Sequence, residues 1–394
     1  MKIDIPKHIL CALDMLKANG HESYIVGGCV RDSLINKVPS DWDICTCALP
    51  EETASVFKNF KTILTGIKHG TVCVIIDAFP VEITTFRTDG KYIDNRHPET
   101  ITFSSSLSED LKRRDFTINA MAYSKEHGLV DFNGGVNDLK SKIIKCVGDP
   151  EKRFGEDALR IMRAIRFSAQ LGFRIDDNTK KAIFSKKELL SNISAERITD
   201  EFFKLIMSDC YIDILREFED VIKIFIPHFN SIIKDIMVKK DIRLRLAYAL
   251  SSSKCNIDDV FGTLVVSKSL KNSVNTILLN QNTSIINDKY NIKKQLSGLG
   301  EELLSLVLEF KSYLGQDVSG HIDTMNKILI NNECYSLKQL KVSGNNIKSL
   351  GVKDNTNIGK VLDYLLKQVI SDNLPNEKEA LLNEAKAYII NNKF

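Results

Sequence analysis

Two aspartates one residue apart, Asp41 and Asp43, follow a double glycine and an arginine in the run Gly27-Gly28-Cys29-Val30-Arg31-Asp32. This order restricts the local fold to a strand, a glycine turn, a short helix and a second strand. On an extended strand positions i and i+2 face the same way, so Asp41 and Asp43 set two carboxylates side by side. Such a pair suits Mg²⁺, which takes oxygen ligands from one or two carboxylates and from substrate phosphates. The glycines let the backbone approach a triphosphate with its N–H groups toward the anion, at the start of a short helix predicted over 30–37. Taken singly, Gly-Gly is a turn and Asp-x-Asp a solvated surface pair. Their succession in one short stretch carries the reading.

Gly-Gly-x-x-Arg-Asp, a short helix, the turn Pro39-Ser40 and Asp-x-Asp followed by Ile44 together resemble the nucleotidyltransferase signature of the DNA polymerase β superfamily. The arrangement is similar to that of the bacterial class of tRNA nucleotidyltransferases and the related poly(A) polymerases. The resemblance implies that Asp41 and Asp43 are the catalytic, metal-binding pair and that Gly28 and Arg31 cradle the triphosphate. A third metal-site carboxylate is common in the wider superfamily; Glu82 is the first candidate and Asp115 the second.

Three further segments extend the resemblance. Arg113-Arg114-Asp115-Phe116-Thr117-Ile118-Asn119-Ala120 matches a motif of the same family, which implies that Arg114 contacts the bound nucleotide while Asp115 holds the local arrangement. A guanidinium suits that task, because it offers several fixed donors to a phosphate or sugar. Glu156-Asp157-x-x-Arg160-x-x-Arg163-x-x-Arg166 resembles the family's base-recognition motif. Read as one helix, it places Asp157 and Arg160 on one face, about 60° apart, with Arg166 almost opposite. Arg163, between them, serves either the base or the triphosphate. The segment 84–98, with its Asp-Gly-x-Tyr-x-Asp-x-Arg-x-Pro character, is expected to be a mobile connection between strands; in this family such a loop is associated with the terminal adenosine step.

Hydrogen-bond types say what an Asp–Arg pair would select. A carboxylate beside a guanidinium offers an acceptor and then donors. Cytosine and adenine present an amino donor and then a ring-nitrogen acceptor, so both fit. Uracil and guanine present the reverse order and leave like groups facing one another, at about 1–3 kcal/mol for each unsatisfied group. Asp157 and Arg160 are therefore the expected readers of CTP and ATP, with Arg163 and Arg166 in support.

At 394 residues, the chain has room for two to four packed domains. A net charge of +3 means that a nucleic acid must be held by local basic patches and not by a uniformly basic body. The nine cysteines form no Cys-x-x-Cys cluster, so they read as free thiols of a cytoplasmic protein. No uncharged apolar run has the length a bilayer requires, so no membrane association is expected.

Short β-rich runs at 24–26, 43–46, 71–78, 81–87 and 100–103, with helices over 7–19 and 53–59, predict an α+β head. After Gly148-Asp149-Pro150 the spacing turns helical, as in Ile161, Ile165, Phe167 and Leu171. The expected architecture is an α+β multidomain chain. A polymerase-β-like nucleotidyltransferase head with a mixed sheet occupies 1–140, a helical neck that reads the base 141–205, a helical body 206–290 and a helical tail that binds tRNA 291–394. The Asn- and Lys-rich stretch 280–294 reads as a linker or surface loop. The segments 342–347 and 358–366 resemble the family's tail, with Asn346 standing where the family carries aspartate.

The resemblance implies template-independent addition of C, C and A to the 3′ end of tRNA from CTP and ATP, with release of pyrophosphate. Addition of the adenosine alone, or polyadenylation, is the nearest alternative. A non-catalytic RNA-binding protein is the alternative of another class. No protein partner is implied.

Overall fold

The computed structural model describes residues 3–90, 100–231, 236–253 and 255–393. The chain divides into two compact units, 1–233 with 252–266, and 234–251 with 267–394.

The first unit opens with helix α1 (Lys7–Ala18) and then builds a sheet from β1 (Ser23–Val26), β2 (Asp43–Thr46), β3 (Lys61–Ile63), β4 (Thr71–Ile76) and β5 (Phe79–Thr85), joined later by β8 (Ala122–Ser124) and β9 (Gly128–Val130). A separate hairpin pairs β6 (Arg87–Asp89) with β7 (Ile101–Phe103). The seven strands lie in the order β3-β4-β5-β2-β1-β8-β9. Only β2 and β5 are parallel neighbours, with Asp43 opposite Glu82; the other pairs are antiparallel, which makes the sheet mixed. Tyr24, Val26, Cys45 and Ala122 turn inward from the central strands onto Phe86, Leu107 and Leu111, so one face of the sheet is core.

The expected run at 71–78 ends at Ile76, because Asp77 and Ala78 both take positive φ (51° and 67°) and form a two-residue hairpin turn. That backbone is the type I′ geometry whose twist matches paired strands. The short helix α2 spans Gly28–Leu34 and not 30–37, since Asn36 at φ 56° has left the helix. Helix α3 runs Pro50–Val56, earlier than 53–59; Pro50 occupies its first turn and Glu52 accepts from the Leu49 N–H at 2.8 Å. The strand expected at 100–103 pairs with β6 outside the main sheet. Residues 91–98 of the expected mobile segment lie outside the described residues.

Helices α4 (Leu107–Lys112) and α5 (Gly135–Lys140) complete the head, and α6 (Pro150–Glu156), α7 (Leu159–Leu171), α8 (Asp177–Lys186) and α9 (Ala195–Ile206) follow. Asp149 caps α6, accepting from the Glu151 N–H at 3.0 Å with Pro150 in the first turn, and Gly172 ends α7 at φ 66° in the left-handed region. Strand-like residues persist in this region, where Ile143–Ile144 and Arg174–Ile175 pair as a short parallel ladder. The α9 positions Ile198, Phe202, Leu205 and Ile206 repeat at helical spacing and are buried, and α9 packs along α7.

The second unit is helical, running from Ile242–Leu250 and Lys268–Leu279 to Asn355–Ile370 and Lys378–Asn392. One apolar cluster gathers Ile292, Leu296, Leu304 and Leu308, and another Ile347, Val361, Leu365 and Leu381. Lys293 is nearly inaccessible and is paired with Glu333 at 2.9 Å and Asp372 at 3.2 Å. Within the Asn- and Lys-rich stretch, residues 280–288 connect two helices and Lys289 begins the next, Lys289–Leu299. Asn346 accepts from the Ser343 N–H at 2.9 Å and so caps its own short helix. Among the described residues no helix is long and apolar enough to cross a membrane.

Candidate active site

A cavity of about 700 Å³ in the first unit is lined by Gly28, Arg31, Asp41, Asp43, Arg114, Asp157, Arg160, Arg163 and Arg166. All nine residues singled out in the sequence therefore meet at one place. Gly27, Asn119, Phe167, Gln170 and Lys204 join them.

Asp41 and Asp43 sit at the entry to β2, where Asp41 accepts from the Ser40 hydroxyl at 2.9 Å. Among the described residues, no lysine or arginine forms an ion pair with either. Protein withdraws water from the Asp43 carboxyl and raises its pKa; Arg114 opposes that shift, and Glu82 and Asp41 reinforce it. An all-oxygen, anionic donor set of this kind fits a hard divalent cation. No group of three His, Cys, Asp or Glu side chains is drawn together as a ready-made metal site among the described residues. Of the two further carboxylates considered, Glu82 is the register partner of Asp43, whereas Asp115 is bound to Arg163.

The basic wall is built by buried networks. Asp110, fully inaccessible at one end of α4, accepts Arg113 at 2.7 Å on one oxygen and Arg114 at 3.0 Å on the other. Burial alone would raise its pKa, but the two guanidiniums win and lower it. Asp115 accepts Arg163 Nε and Nη2 at 2.9 and 2.7 Å, Asn119 at 3.2 Å and the Phe116 N–H at 2.8 Å. These bonds outweigh its desolvation and hold it at about 2. Asn119 in turn accepts Arg31 Nη1 at 2.6 Å, while Asp32 takes Arg31 Nε at 2.8 Å. Arg166 pairs with Glu201 of α9 at 2.8 Å. Burial pushes Arg166 down to about 10 despite Glu201, and Arg163 and Arg31 push it the same way. A cavity so crowded with cations is suited to a polyanion.

Phe167 is the common support. Its ring lies under the guanidiniums of Arg166 at 4.1 Å, Arg31 at 5.1 Å and Arg163 at 5.4 Å, and it meets Phe116 edge-on at 5.8 Å. Gly27 closes the other side. It takes φ 82° and ψ −131°, and a Cβ there would stand 3.4 Å from Arg114 Nη1. Gly27, more than Gly28, is thus the glycine whose backbone the site requires.

The base-reading motif is not one helix. Asp157 has an extended backbone (φ −136°, ψ 100°) in the break between α6 and α7, where it accepts from the Leu159 N–H at 3.2 Å. The expected 60° separation on a common face therefore does not hold, and Arg166 lines the same cavity instead of facing away. Asp157 pairs with Arg197 of α9 at 3.6 Å, and Arg160 pairs with Glu156 at 3.3 Å while donating to the carbonyls of Arg153 and Arg113. The residues missed in the sequence, Asp110, Asn119, Phe167, Arg197 and Glu201, act mainly through other side chains. Asp110 left a local signal, because it precedes Arg113 and Arg114, just past the end of α4, by three and four positions, and Asn119 lies within the motif that holds Arg114.

Comparison with known proteins agrees with this geometry. Residues 23–145 match the family described as the Poly A polymerase head domain, 172–232 a probable RNA- and SrmB-binding site of polymerase A, and 239–385 a putative tRNA nucleotidyltransferase domain 2. A CCA-adding enzyme of Lactobacillus delbrueckii subsp. bulgaricus is 36% identical over 390 residues, 94% of each chain. That of Leuconostoc mesenteroides is 36% identical over 99% of each. The crystal structure of a Bacillus stearothermophilus CCA-adding enzyme in complex with CTP superposes with a TM-score of 0.80 at 28% identity, covering 98% of both chains. Identity at this level over almost the whole length, with the motif residues gathered in one cavity, means that the chain belongs to the family of CCA-adding tRNA nucleotidyltransferases.

Proposed function

We propose that this chain adds C, C and A to the 3′ end of tRNA from CTP and ATP without a nucleic-acid template. The observation that carries the reading is the single cavity in which two carboxylates open to ligand face a wall of arginines and the Asp157–Arg160 break. Asp41 and Asp43 would hold the divalent metal that the family's chemistry uses, in our reading Mg²⁺. When bound, the metal polarises the α-phosphate and favours the attacking hydroxyl. Gly28 and Arg31 receive the triphosphate and Arg114 its sugar-phosphate region. Asp157 accepts the amino group of cytosine or adenine, Arg160 donates to the adjoining ring nitrogen, and Arg163 and Arg166 support this end. The RNA 3′ oxygen then forms its bond to the α-phosphorus, the bond to the bridging oxygen of the β-phosphate breaks, the hydroxyl proton passes to water and pyrophosphate leaves. Residues 141–205 would serve as the neck, 206–290 as the body and 291–394 as the tail that grips tRNA.

The test is nucleotide incorporation on tRNAs ending at the discriminator base, at C and at CC, with CTP and ATP supplied separately. Two cytidines and then one adenosine are expected. Adenosine on CC ends alone, or long A tracts, would replace this reading.

A further inference from the structure

A second pocket, of about 540 Å³, adjoins the metal-site carboxylates, sharing Ser40, Asp41 and Asp43 with the cavity described above. Its character is opposite. None of the residues that line it is a lysine or arginine; beside Asp41, Asp43 and a third carboxylate, Glu82, its walls carry Trp42, Phe79, Pro80 and His8. His8, near the start of α1, and Phe79, the first residue of β5, stack with ring centroids 4.7 Å apart and planes inclined by 14°. Phe79 is 55% exposed although it is a large apolar residue. The positive-φ turn at Asp77 and Ala78 fixes where β5 begins, and so holds this ring at the pocket's edge.

A triphosphate is a poor occupant of a pocket that offers carboxylates and no cation. An uncharged base and ribose suit it, because bases stack on aromatic faces irrespective of sequence. In-line displacement also needs the incoming hydroxyl on the side of the reacting phosphorus away from the leaving group. With the triphosphate among the arginines, a pocket that shares Asp41 and Asp43 with their cavity and is lined by none of them suits the incoming hydroxyl. We infer that the pocket receives the 3′-terminal nucleoside of the RNA, with the Phe79–His8 pair as its stacking platform and the ribose hydroxyl toward Asp41 and Asp43. This assignment of Phe79 and His8 as positioning residues rests on the proposed function.

Trp42 is the chain's single tryptophan, so its fluorescence reports occupancy directly. With tRNA ending in CC and ATP, Phe79→Ala should raise KM for the tRNA about tenfold, leave KM for ATP within about twofold, and melt near the wild-type temperature because its ring is mostly exposed. Phe79→Tyr keeps a stacking ring and should restore KM. Trp42 emission of the intact protein should change on titration with tRNA ending in CC more than with ATP alone. An unchanged KM for tRNA in Phe79→Ala, a defect that Phe79→Tyr does not repair, or a Trp42 signal indifferent to tRNA overturns the inference while leaving CCA addition standing. A wild-type chain that extends no tRNA would instead remove the proposed function, and the Trp42 titration would still judge whether the pocket takes an RNA end.

Discussion

The segment 110–115 and the entry to β2 treat the same side chain in opposite ways. Asp110 and Asp115 are buried, saturated by guanidiniums and held below their ordinary pKa. Asp41 and Asp43 face the cavity with no paired cation among the described residues, and Asp43 is raised. The first pair assembles the wall, since a buried carboxylate without its cation is costly. The second pair is exposed to the cavity and has no ion-pair partner among the described residues, which reserves it for something that arrives from outside. Placement within a motif does not separate these roles; the state of each carboxylate does.

Removing the reserved pair should break the contrast most visibly. Asp41→Ala or Asp43→Ala should lower nucleotide addition by at least about 10³-fold, the loss of several kcal/mol of transition-state stabilisation, with tRNA binding retained in a filter or gel assay. Incorporation near the wild-type rate by both variants would refute the division. The stability signs should differ as well. A raised Asp43 pKa means that its ionised form costs folding energy above that raised value, so Asp43→Asn should melt higher than wild type near neutral pH, with the gain shrinking as pH falls.

Asp115→Asn should do the reverse, destabilising the fold by about 2 kcal/mol because half-buried Arg163 loses its two short bonds and keeps only Glu201 at 3.7 Å. Asp115 moves from 3.8 to about 2, so its ionised form stabilises the native state by about 2 kcal/mol above pH 4 and loses that contribution as pH falls toward 2. Denaturant melts of wild type and variant should therefore converge across that window. Parallel curves would place the stabilising partner elsewhere.

Asp157 sharpens the comparison, as a carboxylate of the cavity that is half-buried and only loosely paired. Asp157→Ala should reduce the preference for CTP over UTP, and for ATP over GTP, by about 10- to 100-fold in kcat/KM, the value of 1–3 kcal/mol of mispaired groups. An equal loss for all four nucleotides would make Asp157 a structural residue. The smallest effect should come from the shared ring. Phe167→Leu removes cation–π contacts of about 1 kcal/mol and should raise KM for both nucleotides several-fold with little change in selectivity.

The sequence revealed most of what is local. The Asp41-x-Asp43 strand, the Gly27-Gly28 turn and the head of α6 carry their patterns within a few residues. Strands β3, β8 and β9 went unseen. The break at Asp157 was hidden because Asp, Ala and Leu are compatible with a helix, and only the cavity's geometry requires an extended residue there. Asp115 and Arg163 are 48 positions apart and Arg31 and Asn119 are 88. No spacing rule links such residues before the sheet brings them together.

Gly27 also limits what inheritance can explore. Its backbone lies where any side chain is strained, and the first added carbon would come into contact with Arg114. Codon 27 therefore has no neutral neighbour. Selection on a randomised library should return glycine there.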